Sequence, residues 1–368
     1  MPTGPNYWDY LKLDRLLDLQ SGVSESGDVD SPDELHFIVV HQVYELWFKL
    51  ILTSLRLARD RLAEPKVSEE TIPYVVHHLR RVSTILGLAV DHWKVVETLT
   101  PQDFLAFRDK LTPASGFQSF QLREIEIVMG LDDAERVGFG TVRPLEHIRD
   151  LGSESPGGRL AWSHVQRARE EQSFLAALNE WLFRTPIYGS MPDQPGDEAM
   201  VSSFIDAYLV ASEQNQARGL ERLVEAHGEG QRETIAARFR GTRDAGRAFF
   251  HAEDVTPEER FRVRRIRAAA VFIESYRELP LLAWPRLLLD NVVEMEEQLL
   301  LFRHGHARMV ERVIGRRVGT GGSGGVDYLD RTLSYRVFRD LWALRSVLLP
   351  KERLPPLPNA HFYEFVSE

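Results

Sequence analysis

The histidine at position 306 is the residue whose surroundings first suggest chemistry. Phe302 and Met309 flank it at spacings of four and three residues, so we predict that His306 lies on the apolar side of a helix ending near Gly315. Such a histidine is either hydrogen-bonded in the core or a ligand. His304 cannot join it in holding a bare metal ion, because residues two apart on a helix point roughly 200° apart. A single histidine suits a heme iron, whose equatorial ligands come from the porphyrin.

A glycine-rich loop, Gly319 to Gly325, follows that helix and contains the pattern G-x-G-x-x-G. We do not interpret it as a dinucleotide-binding motif, because such a motif needs a strand before it, and here an arginine-rich helical segment precedes the loop. One alternative is a flexible linker. The other is a binding loop, since the hydroxyl of Thr320 among small residues would let backbone amides and a side chain approach a small polar ligand.

Two further polar residues are predicted to lie among aromatic side chains. His41 shares a helix face with Phe37, which predicts either a buried structural histidine or a functional one surrounded by rings. Arg108 shares a face with Phe104. That arginine is either a surface residue with a buried stem or a carboxylate-binding residue, because a guanidinium holds a carboxylate with two hydrogen bonds.

Composition limits the class of protein. The chain has 368 residues, 43% of them hydrophobic, no cysteine and a formal net charge of -10. It can therefore bury a large core, and it has no disulfide, thiolate-ligated heme or cysteine nucleophile. The negative charge argues against a nucleic-acid partner. Neither a signal sequence nor an apolar run of membrane-spanning length is apparent, so we expect a cytoplasmic protein without a membrane partner.

Helical periodicity dominates the chain, and no segment shows the alternation of a half-buried strand. We predict an all-α, single-domain helical bundle over residues 1–368. Ser31 and Pro32 predict the start of a long helix that reaches about residue 63. Other long helices are predicted at residues 68–99, 160–183, 198–226, 257–277 and 285–317, whereas residues 229–243 are polar and read as a mobile segment.

Three separated motifs closely resemble the signature regions of the tryptophan 2,3-dioxygenase family, whose members are heme enzymes that open the indole ring of L-tryptophan. They are DELHFIVVHQVYELWFK, DFLAFRDKLTPASGFQSFQLR and HARMVERVIGRRVGTGGSGG, in the family's order. Weaker similarity appears in YWDYLKLDRLL and RRIRAAAVFIESYRELPLLAWPRLL. The resemblance covers most of the chain apart from roughly residues 130–254 and the tail.

The resemblance implies roles around a bound heme b, one per subunit, with O2 as co-substrate. His306 matches the proximal ligand of the heme iron, and Ser115 matches a serine near the distal heme face. His41 matches the distal histidine near the indole nitrogen, where it is either a base or an orienting partner. We treat it as an orienting group with modest catalytic weight.

Substrate-binding residues are implied in the same way. Arg108 matches the arginine that binds the substrate carboxylate, and Thr320 matches the threonine that holds the substrate ammonium and carboxylate. Phe37 matches a ring packed beside the indole, and Phe104 is expected to complete that aromatic wall. In the family, an N-terminal segment, here about residues 1–20, reaches the site of an adjacent subunit in a homotetramer, a dimer of dimers. The matching residues are Tyr7, Tyr10 and Leu11.

Three departures from the family pattern leave a second function open. Trp8 stands where the family usually has glycine, Phe302 replaces the tryptophan of a W-R-x-x-H pattern, and Asp327 lies where histidine is usual. These changes suit a related heme enzyme that inserts one or two oxygen atoms into a tryptophan or tyrosine derivative in natural-product biosynthesis. A heme sensor or carrier is a third interpretation. Arg108 and Thr320 argue against it, since a carrier has no use for an amino-acid clamp.

Overall fold

The computed structural model describes residues 4–22, 29, 31–112, 114–138, 143–320 and 324–364. These residues form fifteen α-helices and several short 3-10 helices, and within them the only β pairing is an isolated bridge between Ile187 and Ser190. The all-α prediction is therefore confirmed for the described part of the chain. The chain divides into two compact units, which are described separately; the single-domain organisation stays a prediction.

The first unit consists of Met1–Leu55, Arg81–Glu171 and Glu297–Tyr335. It contains, in whole or in part, α1 (Tyr7–Leu11), α2 (Leu13–Leu16), α3 (Pro32–Leu62), α4 (Thr71–Val96), α5 (Pro101–Arg108), α6 (Phe120–Met129), α7 (Pro144–Leu151) and α8 (Pro156–Glu170). The C-terminal part of a later helix, Ala283–Ile314, and the short helix Val326–Arg331 complete it.

Helix boundaries in the first unit follow from local capping chemistry. The Ser31 hydroxyl accepts a hydrogen bond from the Glu34 backbone N–H at 3.1 Å, which confirms the predicted start of α3. The Thr100 hydroxyl caps α5 at 3.2 Å from the Asp103 amide. Gly130, with φ of 117°, ends α6 in the left-handed conformation that favours glycine. These signals are encoded within a few residues of each boundary.

The second unit consists of Arg56–Arg80, Gln172–Glu296 and Arg336–Glu368. Its own helices are α9 (Phe174–Arg184), α10 (Asp197–His227), α11 (Arg232–His251), α12 (Arg260–Ser275) and α15 (Arg339–Leu344). The N-terminal part of α13 (Ala283–Ile314) also belongs to this unit. The Val326–Arg331 helix of the first unit is α14. The Arg265 guanidinium is fully buried, where it donates to Asp197 at 3.0 Å.

Two segments differ from the prediction. Residues 229–243, for which no helix was predicted, belong largely to α11, which α10 contacts through ion pairs of Arg232 with Glu221 at 2.9 Å and Arg247 with Glu213 at 2.8 Å. The single helix predicted at residues 160–183 is two helices, because the Ser173 hydroxyl caps α9 from the Ala176 amide at 3.1 Å. In both segments polar side chains take part: ion pairs join α11 to α10, and a serine hydroxyl caps α9.

Helix α3 is also long and apolar enough, by length and composition, to cross a membrane, with a mean hydropathy of 1.3 over its most apolar 18-residue window. The predicted absence of an uninterrupted apolar run is a separate property, because polar residues such as Glu45 and Lys49 interrupt this helix. Core helices of soluble proteins meet the same criterion. The side chains of Tyr44, Phe48, Ile51 and Leu55 on α3 are buried.

Candidate active site

A cavity within the first unit brings together seven of the residues singled out from the sequence. They are Phe37 and His41 on α3, Phe104 and Arg108 on α5, Ser115 in the following loop, His306 on α13, and Thr320 after it. Most of the remaining lining is apolar and comes from α4, α6, α13 and α14. Tyr7, Tyr10 and Leu11 do not line this cavity; their exposed fractions are 69%, 73% and 41%.

His306 lies one turn after Phe302 on α13, and the indole ring of Trp93 stacks on its imidazole with ring centroids 4.8 Å apart and planes 5° apart. The Trp93 indole N–H donates to the Phe302 carbonyl at 3.1 Å. Burial, together with the charges of His41, Arg123 and Arg303, lowers the pKa of His306 to about 4. The imidazole is therefore neutral at physiological pH, the form that coordinates a metal ion.

Gly305 permits the stacking of Trp93 on His306. A Cβ at this position would lie 2.6 Å from Trp93 Cδ1, closer than van der Waals contact allows. The helix itself gains nothing from a glycine, since glycine in a helix interior costs about 1 kcal/mol relative to alanine. Glycine at position 305 therefore lowers the stability of the helix but lets an indole pack closely on the candidate ligand.

We expect the Gly305→Ala protein to be less stable than the parent, by about 1–3 kcal/mol, because the new methyl group overpacks the Trp93 contact. Gly87→Ala is the matched control: its Cβ would meet only the Gln298 side chain, at 3.6 Å, so this second helical glycine should tolerate alanine or gain stability. Chemical denaturation of both variants tests this. Equal stability changes in the two proteins would contradict the packing role assigned to Gly305.

The second histidine of the cavity, His41, has a defined tautomer. Its Nδ1 lies 2.7 Å from the Phe37 carbonyl, which can only accept, so Nδ1 carries the proton. Burial lowers the pKa of His41, against the opposing effect of that hydrogen bond. The neutral ring therefore has an unprotonated Nε2, which can accept a hydrogen bond from a ligand N–H group.

Aromatic rings form a wall next to His41. The ring of Phe37 lies 4.1 Å from the His41 imidazole, 5.6 Å from the Phe104 ring and 5.8 Å from the Phe107 ring, measured between centroids. Phe104 and Phe107 meet edge to face at 5.4 Å. A wall of this kind favours a flat, apolar ligand ring through offset and edge-to-face contacts.

Arg108 and Thr320 connect the α5 region to the start of the glycine loop. An Nη of Arg108 donates to the Val318 carbonyl at 2.5 Å, and the Thr320 hydroxyl donates to the Ala114 carbonyl at 2.6 Å. Arg108 Nε is buried without a hydrogen-bond partner. The guanidinium thus retains a donor for an anion, as the carboxylate-binding interpretation requires. The centre of the loop, residues 321–323, lies outside the described residues.

Ser115 lines the cavity and also has a local structural role. Its hydroxyl accepts a hydrogen bond from the Phe117 amide at 3.4 Å and caps the 3-10 helix Gly116–Gln118. The Phe117 ring then packs on Tyr328 of α14, with centroids 4.6 Å apart. The serine therefore fixes the backbone that follows it, whatever its contact with a ligand.

A group of buried charges beside the cavity was missed by the sequence reasoning. The carboxylate of Glu126 on α6 is 1% exposed and accepts hydrogen bonds from Arg123 at 3.0 Å, Arg303 at 2.6 Å and Arg136. Burial opposes ionisation of Glu126, but these three cations outweigh it and lower its pKa to about 2. The available signal was the spacing of Arg123 and Glu126, one turn apart among apolar residues of one helix.

Comparisons with known proteins identify the family of this chain. A family model described as tryptophan 2,3-dioxygenase matches residues 2–348. Tryptophan 2,3-dioxygenase from Sorangium cellulosum is 46% identical, covering 99% of this chain and 88% of the relative. Tryptophan 2,3-dioxygenase 2 from Ralstonia nicotianae is 44% identical, covering 99% and 98%. A tryptophan 2,3-dioxygenase-like protein from Xanthomonas campestris pv. campestris is 45% identical over 73% of this chain and 99% of its own length.

Proposed function

Because the chain belongs to the tryptophan 2,3-dioxygenase family, we propose that it is a heme-dependent enzyme that inserts both atoms of O2 across the indole C2=C3 bond of L-tryptophan. The product is N-formyl-L-kynurenine, the first product of the kynurenine pathway. The observation that carries the proposal is the single cavity in which His306, His41, Arg108 and Thr320 meet. We place the enzyme in the cytoplasm, without nucleic-acid or membrane partners.

The donor set of the cavity fits heme b, one per chain. Among the described residues there is no group of three or more metal-ligating side chains, so a bare metal ion finds no complete site there. A neutral His306 at an apolar wall suits a cofactor that brings its own equatorial ligands. When bound, the heme supplies the iron that binds and activates dioxygen.

The substrate is held by its amino-acid part and its ring. Arg108 binds the carboxylate through the guanidinium, exchanging its contact with the Val318 carbonyl for a charged partner. Thr320 adds a hydroxyl to the same end of the ligand, and Ser115 lines the same cavity. The rings of Phe37 and Phe104 receive the flat indole. Together these contacts fix the indole in one orientation, which is the main contribution of the protein to the reaction.

His41 orients the indole in this proposal. With Nδ1 protonated and bonded to the Phe37 carbonyl, Nε2 accepts the indole N–H. Cleavage of the C2=C3 bond with addition of two oxygen atoms leaves the hydrogen count of the substrate unchanged, so no net proton has to leave through His41. We assign it a positional contribution, so its loss should raise KM more than it lowers kcat.

The product of the reaction tests the proposal directly. Reduced enzyme, L-tryptophan and O2 should give a compound with a mass gain of two oxygen atoms and a new near-ultraviolet absorbance. With 18O2, both label atoms should appear in the product. A gain of one oxygen, or turnover only of a tryptophan or tyrosine derivative, would instead identify the related biosynthetic enzyme. A heme absorption band that responds to no aromatic amino acid would identify a carrier.

We further propose a homotetramer, a dimer of dimers, in which the N-terminal segment completes a neighbouring site. Tyr7, Trp8 and Tyr10 expose 61–73% of their surface, an unusual exposure for large aromatic side chains. The segment is anchored on its own subunit just after His41: Gln42 donates to the Leu19 carbonyl at 3.0 Å and accepts from Gln20 at 2.6 Å. Its aromatic residues are therefore presented from a fixed base to a partner copy.

Deletion of residues 1–19 should remove at least about 90% of turnover while heme stays bound, because the deleted aromatics belong to another subunit's pocket and not to the chain's own cavity. Deletion of residues 1–5, which leaves the Asn6 cap of α1 in place, is the control and should retain activity. Steady-state rates and sedimentation would be measured together. A truncated, fully active monomer would rule out the shared site.

A further inference from the structure

Two arginines in the cavity wall share one carboxylate. Arg123 and Arg303 both line the cavity, and both donate to Glu126, at 3.0 and 2.6 Å. Their side chains are 7% exposed, and the Nε of Arg123 is buried without a hydrogen-bond partner. A guanidinium donor left unsatisfied in a buried place is costly, so its retention indicates a partner that the described residues do not supply.

The charges around Glu126 do not balance. Arg136 is a third cation on the same carboxylate, and its other partner, Asp133, is shared in turn with Arg169 at 3.0 Å. At the buried Glu126 carboxylate itself, three guanidinium groups therefore meet one anion. Uncompensated positive charge in a buried place is unfavourable unless an anion joins it. The surplus faces the cavity, because Arg123 and Arg303 line it.

The arginines that carry this surplus charge lie near His306. Arg303 precedes His306 by one turn of α13, and the charges of Arg123 and Arg303 both act on the His306 imidazole. Arg108, by contrast, is on α5 beside Phe104 and bonds to the Val318 carbonyl. The cavity thus has two guanidinium sites on different elements, and L-tryptophan has one carboxylate.

We propose that Arg123, held by Glu126 and assisted by Arg303, is the binding site for a carboxylate of the cofactor, a propionate of the heme. This inference rests on the proposed function. It assigns to Glu126 the role of a positioning residue: its two-pronged bond with Arg123 Nη1 and its bond with Arg303 keep both cations at the wall, while Arg123 Nε is left for the ligand. A bound propionate neutralises the surplus charge and fixes how the porphyrin lies against His306.

The test compares iron protoporphyrin IX with its dimethyl ester, which has the same ring and iron but no carboxylates. Full-length protein prepared without heme is titrated with each compound, and the Kd is read from the heme absorption band. The parent protein should bind the free acid about 10- to 100-fold more tightly, the range expected for a charge-assisted hydrogen bond. In the Arg123→Gln protein this preference should disappear, with the ester bound as well as before.

Two variants separate binding from folding. Arg136→Gln removes a cation from the same carboxylate but not from the cavity lining, so the preference for the free acid should remain. Arg123→Lys keeps the charge and should keep part of the preference. Circular dichroism and thermal melting show whether Arg123→Gln folds. If it does not, the propionate site is tested by comparing the affinities for free acid and ester in the parent and in Arg123→Lys.

Each outcome bears on one of the two proposals. Equal affinity of the parent for acid and ester, or an unchanged preference in Arg123→Gln, would overturn the propionate site while leaving the heme enzyme intact. A weakened affinity for L-tryptophan with unchanged heme binding in Arg123→Gln would also overturn it, by assigning the arginine to the substrate. Failure of the parent to bind either compound would instead overturn the proposed function.

Discussion

Replacement of Arg108 by methionine should lower kcat/KM for L-tryptophan by roughly 30- to 1000-fold, which corresponds to about 2–4 kcal/mol of transition-state binding. Methionine keeps much of the bulk beside Phe104 but cannot donate to a carboxylate. In the present structure the guanidinium is 16% exposed, with Nε unpartnered and an Nη on the Val318 carbonyl. Heme content should not change, because the candidate iron ligand, His306, is on α13 and Arg108 is on α5.

An exposed arginine provides the control for this substitution. Arg312 is 67% exposed and has an ion pair with Glu97 at 3.4 Å, so Arg312→Met should change kcat/KM by less than about threefold. Tryptamine, which lacks the carboxylate, adds a second check: it should be a similarly poor substrate for the parent and for Arg108→Met. Parent-like activity of Arg108→Met would mean that the carboxylate is held elsewhere, and the assignment of an amino-acid substrate would lose its main physical support.

The secondary structure of several cavity residues was predictable from the sequence, because neighbouring residues in the same motif determine it. His306 was placed on an apolar helix face ending near Gly315, and α13 ends at Ile314 with Gly315 at φ of 62°. The grouping of His41, Arg108 and Thr320 in one cavity came from the resemblance to a family, since no spacing rule joins three segments so far apart in the chain. The structure brings them together.

The parts that escaped prediction depend on partners distant in sequence. Nothing in the sequence around Trp93 reveals that its indole donates to a carbonyl 209 residues away and stacks on His306. This contact also bears on the departure at Phe302: an indole N–H is present beside the candidate ligand, but α4 supplies it. Lys12, at φ of 55°, likewise divides the N-terminal segment into α1 and α2, which periodicity alone does not indicate.

Charged residues inside the first unit limited the prediction for a different reason. Arg123, Glu126 and Arg303 lie on otherwise apolar helix faces, where a charged residue conflicts with the pattern. Such a conflict shows that a residue has a partner but does not identify the partner. For Glu126 the partners include Arg303, 177 residues away. Tyr7, Tyr10 and Leu11 present the same problem across subunits, and their role stays a prediction.

Replacement of His306 by alanine should have the largest effect on the cofactor. We expect the affinity for heme to fall by at least about 100-fold, the upper end of what changes outside the ligand shell cost in metal sites. The protein should remain helical, because alanine is the best helix former and α13 is a helix of 32 residues. Heme content per chain and far-ultraviolet circular dichroism would be measured on the same preparation.

His304→Ala is the matched control for that loss. His304 is exposed and two residues from His306 on the same helix, so it points away from the cavity, and its replacement should leave heme content at the parent level. Imidazole added to the His306→Ala protein should restore part of the heme binding, since the substitution leaves room for a free imidazole under the Trp93 ring. Full heme occupancy in His306→Ala without added imidazole would mean that another of the twelve histidines is the ligand. The roles assigned to the other cavity residues, which all assume heme bound at His306, would then be wrong as well.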